Sequence, residues 1–136
     1  MSDWYMMIPL MVFTRLKQNF SQTIKDTYNM TDKNFSTVGS SNAPAVFPFV
    51  YLQTLPATET GNDLSGTSVN GAVFGFQIDV YSNKSQSDAR KVMTEALRIM
   101  KTMRFEINSM PSFESTQDVH RMTARVRRTM GMNDKL

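Results

Sequence analysis

The chain has 136 residues, a length that suits one domain with a single core. Its composition, 40% hydrophobic and 20% charged, is typical of a globular protein, and the lack of cysteine excludes disulfides, thiolate zinc sites and cysteine nucleophiles. The net charge of +3 is uneven, because residues 1–83 carry four basic and six acidic side chains whereas residues 84–136 carry eleven and six. The excess of basic side chains in residues 84–136 suits either a polyanionic or acidic partner or a solvated helix face.

The first nine residues are mostly apolar, with Asp3 as the only charge and bulky residues following. A secretory signal needs a positive amino-terminal region and a small-residue cleavage site, so we expect no export. Residues 1–9 are predicted to form an arm, or a first helical turn, that packs on the domain or on a neighbouring copy. Pro9 suits a first helical position. Apolar residues then recur every three or four positions, which predicts one helix with an apolar face at Phe13, Leu16, Phe20, Ile24 and Tyr28.

Residues 29–44 are rich in Ser, Thr, Asn and Gly and predict a connecting loop. Residues 46–55 predict an unusual strand, because Phe47, Phe49 and Tyr51 share one face while apolar side chains also occupy the other. Pro48 cannot donate a hydrogen bond to a neighbouring strand, so at least the start of this strand is expected at a sheet edge. An edge strand that is apolar on both faces indicates a partner subunit.

The middle of the chain alternates between polar and strongly patterned segments. Residues 57–70 are polar, contain two glycines and show no periodicity, which predicts a long loop. Between residues 72 and 80 apolar side chains occupy every second position, which predicts a long strand with one buried face. Ser85, three residues before Asp88, is typical of a helix cap. The apolar stripe that follows through residue 103 predicts an amphipathic helix.

Two further strands are predicted near the end of the chain. Phe105 and Ile107 alternate with polar residues, and a break around residues 110–116 leads to a strand whose arginines share one face. We therefore expect a single α+β domain over residues 1–136, in the order α-β-β-α-β-β, with a C-terminal tail at 131–136. Its sheet is expected to be small, mostly antiparallel and four-stranded, with helices packed on one face.

No motif for catalysis, metal binding or cofactor binding is present, so we expect no enzyme activity and no cofactor. Asp79, Glu106 and Glu114 lie on or near predicted strands, but nothing in their spacing requires them to converge as the ligands of a nuclease metal site would. The single histidine, His120, is expected to be a hydrogen-bonded core residue.

The last predicted strand carries the strongest charge pattern. Arg121, Arg125 and Arg127 project from one face, joined by Arg128. An arginine face can contact phosphates, or it can pair with carboxylates across a protein interface. No aromatic residue alternates with these arginines on the strand, which disfavours recognition of nucleic acid by base stacking.

The order of these parts is similar to a known family. The aromatic strand FPFVYLQ, the polar loop and the run FGFQIDVYSNKSQSDARKVMTEALRIM follow an N-terminal helix, and Q-I-D-V-Y-S-x(5)-D-A leads directly into the amphipathic helix. This pattern resembles the tail-terminator (tail-completion or neck) proteins of long-tailed bacteriophages. The resemblance spans roughly residues 8–131 and includes the closing strand that ends RVRRTMG.

The resemblance implies a structural virion protein that forms a ring, usually of six copies, in the tail or neck. Such a ring caps the tail tube and meets the head-side connector or neck protein. DNA passes through its channel without sequence recognition, and assembly takes place in the bacterial host cytoplasm without a membrane. Subunit or partner contacts are expected at Arg121, Arg125, Arg127, Arg128, Phe47, Phe49 and Tyr51. Contacts with the tube or channel are expected in the polar loop, at Glu59, Asn62, Asp63 and Leu64. The alternative hypothesis is a small basic α+β module that binds nucleic acid through its phosphates.

Overall fold

The computed structural model describes residues 4–37, 46–62, 69–114, 119–131 and 133–136. The predicted α+β class is confirmed. The elements follow in the order α1 (Trp4–Asn19), α2 (Gln22–Tyr28), a 3-10 turn (Asp32–Asn34), β1 (Phe35–Ser36), β2 (Phe49–Thr54), β3 (Thr58–Asn62), β4 (Val69–Ser82), α3 (Gln86–Thr102), β5 (Glu106–Phe113) and β6 (His120–Gly131).

The sheet has six strands rather than the predicted four, and it is mixed because one of its five strand pairs, β1 with β2, is parallel. Its order is β1-β2-β4-β6-β5, and β3 pairs with β4 as well. The centre consists of β4 and β6, which are antiparallel from Gly71–Gly131 to Ser82–His120 without a shift in register. The short strand β1 runs parallel to β2 and pairs with Val50 and Tyr51. Strand β2 is therefore covered by β1 along part of its length and is not a simple edge strand.

In the segment predicted as a polar loop, residues 57–70, the described residues 58–62 and 69–70 belong to the sheet. Strands β2 and β3 follow one another along β4, with Thr54 opposite Phe76 and Thr58 opposite Val73. The register shifts by one residue between them, at the junction of residues 55–57, where Pro56 cannot donate to β4. Strand β3 is polar on both faces, so its sequence lacks the alternation of apolar and polar residues that predicts a strand. This is why the sequence of the segment predicts a loop. Asp63 and Leu64 lie outside the described residues.

The core lies between the helices and one face of the sheet. Even-numbered residues of β4 and β6 point toward α3, and the helix buries its apolar stripe against them. Helix α1 joins this layer through Ile8, Val12 and Leu16, which recur every four residues. Trp4, at its start, meets the Phe74 ring edge-on at 6.0 Å.

Helix α1 begins at Trp4, so Pro9 lies inside it rather than at its first position. Proline removes one backbone hydrogen bond there, while Ile8 and Val12 on either side are buried. The single predicted helix is interrupted at Phe20 and Ser21, and α2 starts at Gln22. At this break the Ser21 N–H donates to the Glu95 carboxylate at 2.6 Å, which ties both helices to α3.

Strand β5 also differs from its prediction. It continues from Glu106 through Pro111 to Phe113, across most of the predicted break, and it forms the sheet edge beyond β6. Its register against β6 shifts twice, between Ile107 and Ser112. An edge position tolerates proline because one side of the strand needs no donor.

Candidate functional site

The sheet turns one face toward the helices, and its other face carries the predicted site. We call this second surface the open face. The side chains on it alternate with the core residues of the same strands and come from β2, β4 and β6: Phe49, Tyr51, Gln53, Gln77, Asp79, Tyr81, Arg121, Thr123, Arg125 and Arg127. The open face thus joins the predicted aromatic strand to the predicted arginine strand through β4.

Asp79 lies at the centre of the open face and is only 1% exposed. Arg121 Nη2 donates to Asp79 Oδ1 at 3.1 Å, and Arg121 Nη1 lies 3.1 Å from Glu114 Oε2. The guanidinium also lies 5.8 Å from the centre of the Tyr81 ring. Burial, and then the charge of Asp79, raise the pKa of the Tyr81 hydroxyl above its usual value. Arg121 is therefore held by two carboxylates and an aromatic ring.

The other two arginines of the open face also have partners. Arg125 Nε donates to Gln77 Oε1 at 3.0 Å, and Gln77 in turn donates to the Asp79 carboxylate at 3.3 Å. Arg127 Nε lies 3.8 Å from Glu106 Oε1, and both side chains are exposed. Arg121 and Arg127 thus lie beside three carboxylates, Asp79, Glu114 and Glu106, so the row of arginines that looks basic along one strand is largely compensated in the sheet.

Aromatic side chains are part of this surface, although none lies on the arginine strand. Phe49 and Tyr81, opposite each other on neighbouring strands, have ring centres 6.3 Å apart. Tyr51 lies opposite Asp79 and is half-buried. Phe47 precedes β2 and is half-buried. The predicted residues Phe49 and Tyr51 therefore share a surface with Arg121 and Arg125.

Arg128 does not belong to the predicted arginine surface. It points to the helix side, is 7% exposed, and donates to the carbonyls of Met103 at 3.0 Å and Lys135 at 2.8 Å. Burial lowers the pKa of its guanidinium below the usual value. Its neighbour in sequence, Arg127, projects to the opposite face because strand residues alternate. Arg128 holds the end of α3 to the C-terminal residues, which is a structural role.

Three polar atoms near the start of β6 are buried without a hydrogen-bond partner in the described part of the chain. They are His120 Nδ1, Arg121 Nε and Thr123 Oγ1. His120 was predicted to be hydrogen-bonded in the core, and the structure instead leaves its Nδ1 unpaired. Most buried polar groups in proteins have a partner. Arg121 Nε and Thr123 Oγ1 lie on the open face, whereas His120, an even-numbered residue of β6, lies on the helix side of the sheet.

Another surface lies along α1, on the side of the molecule opposite the open face. Four large apolar side chains there are exposed: Met6 by 69%, Met7 by 53%, Leu10 by 58% and Met11 by 42%. Beside them, a groove of about 570 Å³ lies between α1 and the junction of β2 and β3. Tyr5, Met6, Leu55 and Phe74 are among its lining residues. We call this surface the α1 groove.

One of the predicted tube-contact residues lies at this groove. Glu59 is exposed on β3 and lines the α1 groove, while Asn62 ends the same strand. Gln77 and Tyr81 of the open face were not singled out by the sequence, and Asp79 and Glu114 were considered only as metal ligands. The polar Asp79 within an apolar strand is the sequence signal that points to this surface.

No protein-family model matches this chain, and no curated protein sequence matches it. Among the described residues, no group of three or more histidine, aspartate or glutamate side chains is placed to hold a metal ion. Asp79 and Glu114, considered above as metal ligands, instead flank Arg121. None of the helices in the described ranges is long and apolar enough to cross a bilayer.

Proposed function

We propose that this protein is a non-catalytic structural component of a phage virion, a tail terminator. Copies of the chain form a ring that caps the tail tube and joins it to the head-side connector or neck protein. The ring has about six copies and DNA crosses it without sequence recognition, as the resemblance implies.

The exposed apolar row of α1 is the observation that carries this proposal. Met6, Met7 and Leu10 are each more than half exposed and lie next to an apolar groove. A monomer rarely exposes large contiguous apolar patches, and such patches mark surfaces for protein partners. Methionine suits a surface of this kind because its flexible side chain adapts to a partner.

The charges of the open face favour a protein partner over phosphates. Arg121 and Arg127 already lie beside carboxylates, so a phosphate would have to compete with Asp79, Glu114 and Glu106. Arg125 is also exposed, and its hydrogen-bond partner is Gln77 rather than a carboxylate. Arginine and aromatic side chains are enriched in protein interfaces, and the open face presents both.

The test is the mass of the purified chain, alone and mixed with the tail-tube protein. We expect a closed oligomer, or a complex with the tube protein, visible by native mass spectrometry and as rings by electron microscopy. A chain that remains monomeric at high concentration and binds neither the tube protein nor the connector protein would contradict the proposal.

Nucleic-acid binding is a second candidate, which one observation favours. Lys91, Lys101 and Arg104 are exposed on or just after α3 and have no carboxylate partner among the described residues. If α3 binds phosphates, DNA affinity falls steeply with salt, and changing Lys91 and Lys101 to Gln reduces the salt slope. No binding at low salt, or affinity independent of salt, would exclude this candidate.

A further inference from the structure

Two apolar features that no described residue covers lie at opposite edges of the same sheet. One is the α1 groove, beside the junction of β2 and β3, and the other is Met110 on the edge strand β5. We infer that the α1 groove of one copy binds the β5 edge of a second copy, and that Met110 is the side chain it receives. This inference rests on the proposed ring and names the contact between its subunits.

The α1 groove has the chemistry of a socket for an apolar side chain. Its walls are Pro9 and Tyr5 from the helix, Leu55 and Pro56 from the strand junction, and Phe74 from β4. Among the described residues, Glu59 is the only charged one that lines it. An occupant is therefore expected to be apolar at its centre and to carry positive charge at its edge.

The β5 edge matches both requirements. Met110 is 71% exposed, more than any other large apolar side chain of the described residues. It lies within the irregular stretch of β5, where the register against β6 shifts between Ser109 and Ser112. Two exposed cations lie close to this edge: Arg90, whose guanidinium is 5.6 Å from the centre of the Phe113 ring, and Arg125, opposite Ser109.

Charge complementarity supports a second copy as the occupant. The two carboxylates of this edge, Glu106 and Glu114, already pair with Arg127 and Arg121, whereas Arg90 and Arg125 have no carboxylate partner among the described residues. The groove contributes Glu59 from the other side. An apolar contact at the centre with opposite charges at the rim is the usual anatomy of an interface.

The position of the two features fixes the type of assembly. Because they are different surfaces at opposite edges, each copy can use both at once, and such head-to-tail contacts generate a closed ring when the rotation allows. A symmetric pair formed by two α1 grooves would use the groove twice and leave Met110 exposed. The two arrangements therefore predict different mutant behaviour.

The experiment uses two variants of the full chain, Met6→Glu in the groove and Met110→Glu on β5. Both residues are exposed, so both variants are expected to fold, which circular dichroism and thermal unfolding check. Each variant alone should be monomeric by native mass spectrometry, with self-association weakened at least about tenfold, because a carboxylate is costly in an apolar contact. Gln18→Glu on α1 and Thr129→Glu on β6 add the same charge at exposed positions and should assemble like the parent.

Mixing the two variants gives the sharpest result. Met110→Glu keeps an intact groove and Met6→Glu keeps an intact β5 edge, so an equal mixture should form pairs of one copy of each. Assembly of Met110→Glu like the parent, or no pairs in the mixture, would overturn the inference while the assembled parent still supports a ring. If the parent chain never self-associates, the inference is overturned as well. The proposed function is then tested independently by whether the chain binds the tube protein.

Discussion

Gly71 has little room for a side chain. A Cβ atom at this position would lie 2.8 Å from Thr60 Oγ1, 3.2 Å from the Thr60 carbonyl and 3.3 Å from the Met130 carbonyl. Two of these atoms belong to backbone on either side of β4, so they can move only if the strands move. At Gly75 the nearest atoms lie 3.5 Å away or more, in ordinary contact, and most are in the Leu55 side chain.

Alanine substitution should affect these two glycines differently. Gly71→Ala should lower the free energy of unfolding by about 1–3 kcal/mol, because the added methyl group forces the paired strands apart. Gly75→Ala is the matched control on the same strand and should change stability by less than about 1 kcal/mol. Urea unfolding followed by circular dichroism measures both. Equal losses in the two variants would contradict the close contacts at Gly71.

Arg104 is a second residue whose backbone determines a preference. Its φ is 64°, in the left-handed region that favours glycine, and it follows the end of α3. The pKa of the buried Arg128 guanidinium is lowered mainly by burial, and the nearby charge of Arg104 lowers it further. Both effects make arginine unfavourable at this position.

Arg104→Gly should therefore stabilise the protein by about 0.5–1 kcal/mol. Arg104→Ala serves as the control, since it removes the same charge but keeps the Cβ atom that is strained at positive φ. Glycine should give the higher melting temperature of the two. A melting temperature for Arg104→Gly at or below that of Arg104→Ala would contradict the backbone argument.

Among the elements, the three helices are held together by Glu95 on α3. Its carboxylate accepts from the Ser21 N–H at 2.6 Å and from Arg98 Nε and Nη2 at 2.7 and 2.8 Å. The bonds from Arg98, and then the one from Ser21, hold the pKa of the Glu95 carboxyl below its usual value despite burial. Tyr28 adds a second tie, because its hydroxyl donates to Asp88 Oδ1 at 3.1 Å.

This tie between helices depends on pH. A carboxyl with a lower pKa in the folded than in the unfolded protein contributes stability above its unfolded pKa of about 4.3, and the contribution is lost as the pH falls through the folded value. Glu95→Gln should therefore be less stable by about 1 kcal/mol at neutral pH, since bonds to a charged group become bonds to a neutral one. The difference should shrink below pH of about 4. Glu59→Gln changes an exposed carboxylate and is the control; its free energy of unfolding should equal that of the parent at every pH. If the loss of stability in Glu95→Gln stayed the same in acid, ionisation of Glu95 would not be its cause.

For the whole molecule, the proposed ring places opposite charges at the two edges of each copy. Arg125→Glu should weaken self-association by up to about fivefold at low salt, as expected for a rim ion pair of about 1 kcal/mol or less. At about 0.5 M salt the difference should nearly vanish, because exposed charges are screened. Sedimentation velocity at two salt concentrations measures this effect.

Two companion variants identify the source of that change. Lys33→Glu reverses an exposed cation on the 3-10 turn and should assemble like the parent at both salt concentrations. Adding Glu59→Arg to Arg125→Glu should recover part of the lost affinity, because the signs at the two edges are exchanged. Weakening by Arg125→Glu that is the same at all salt concentrations would show that charge is not the cause.

The amino-acid sequence alone determined the α+β class, the long strand β4, the helix α3 and the alternation that separates Arg121 and Arg125 from the core. These features follow from local periodicity, since a stripe of apolar residues specifies which face is buried. Only the tertiary structure decided that β1 and β3 join the sheet, because short polar strands are defined by their partners rather than by a pattern. It also decided that Arg121 meets Asp79 and Glu114, and that Arg128 is buried at the end of α3. The carboxylates that compensate these arginines come from other strands and segments, so a count of charges along one strand does not include them.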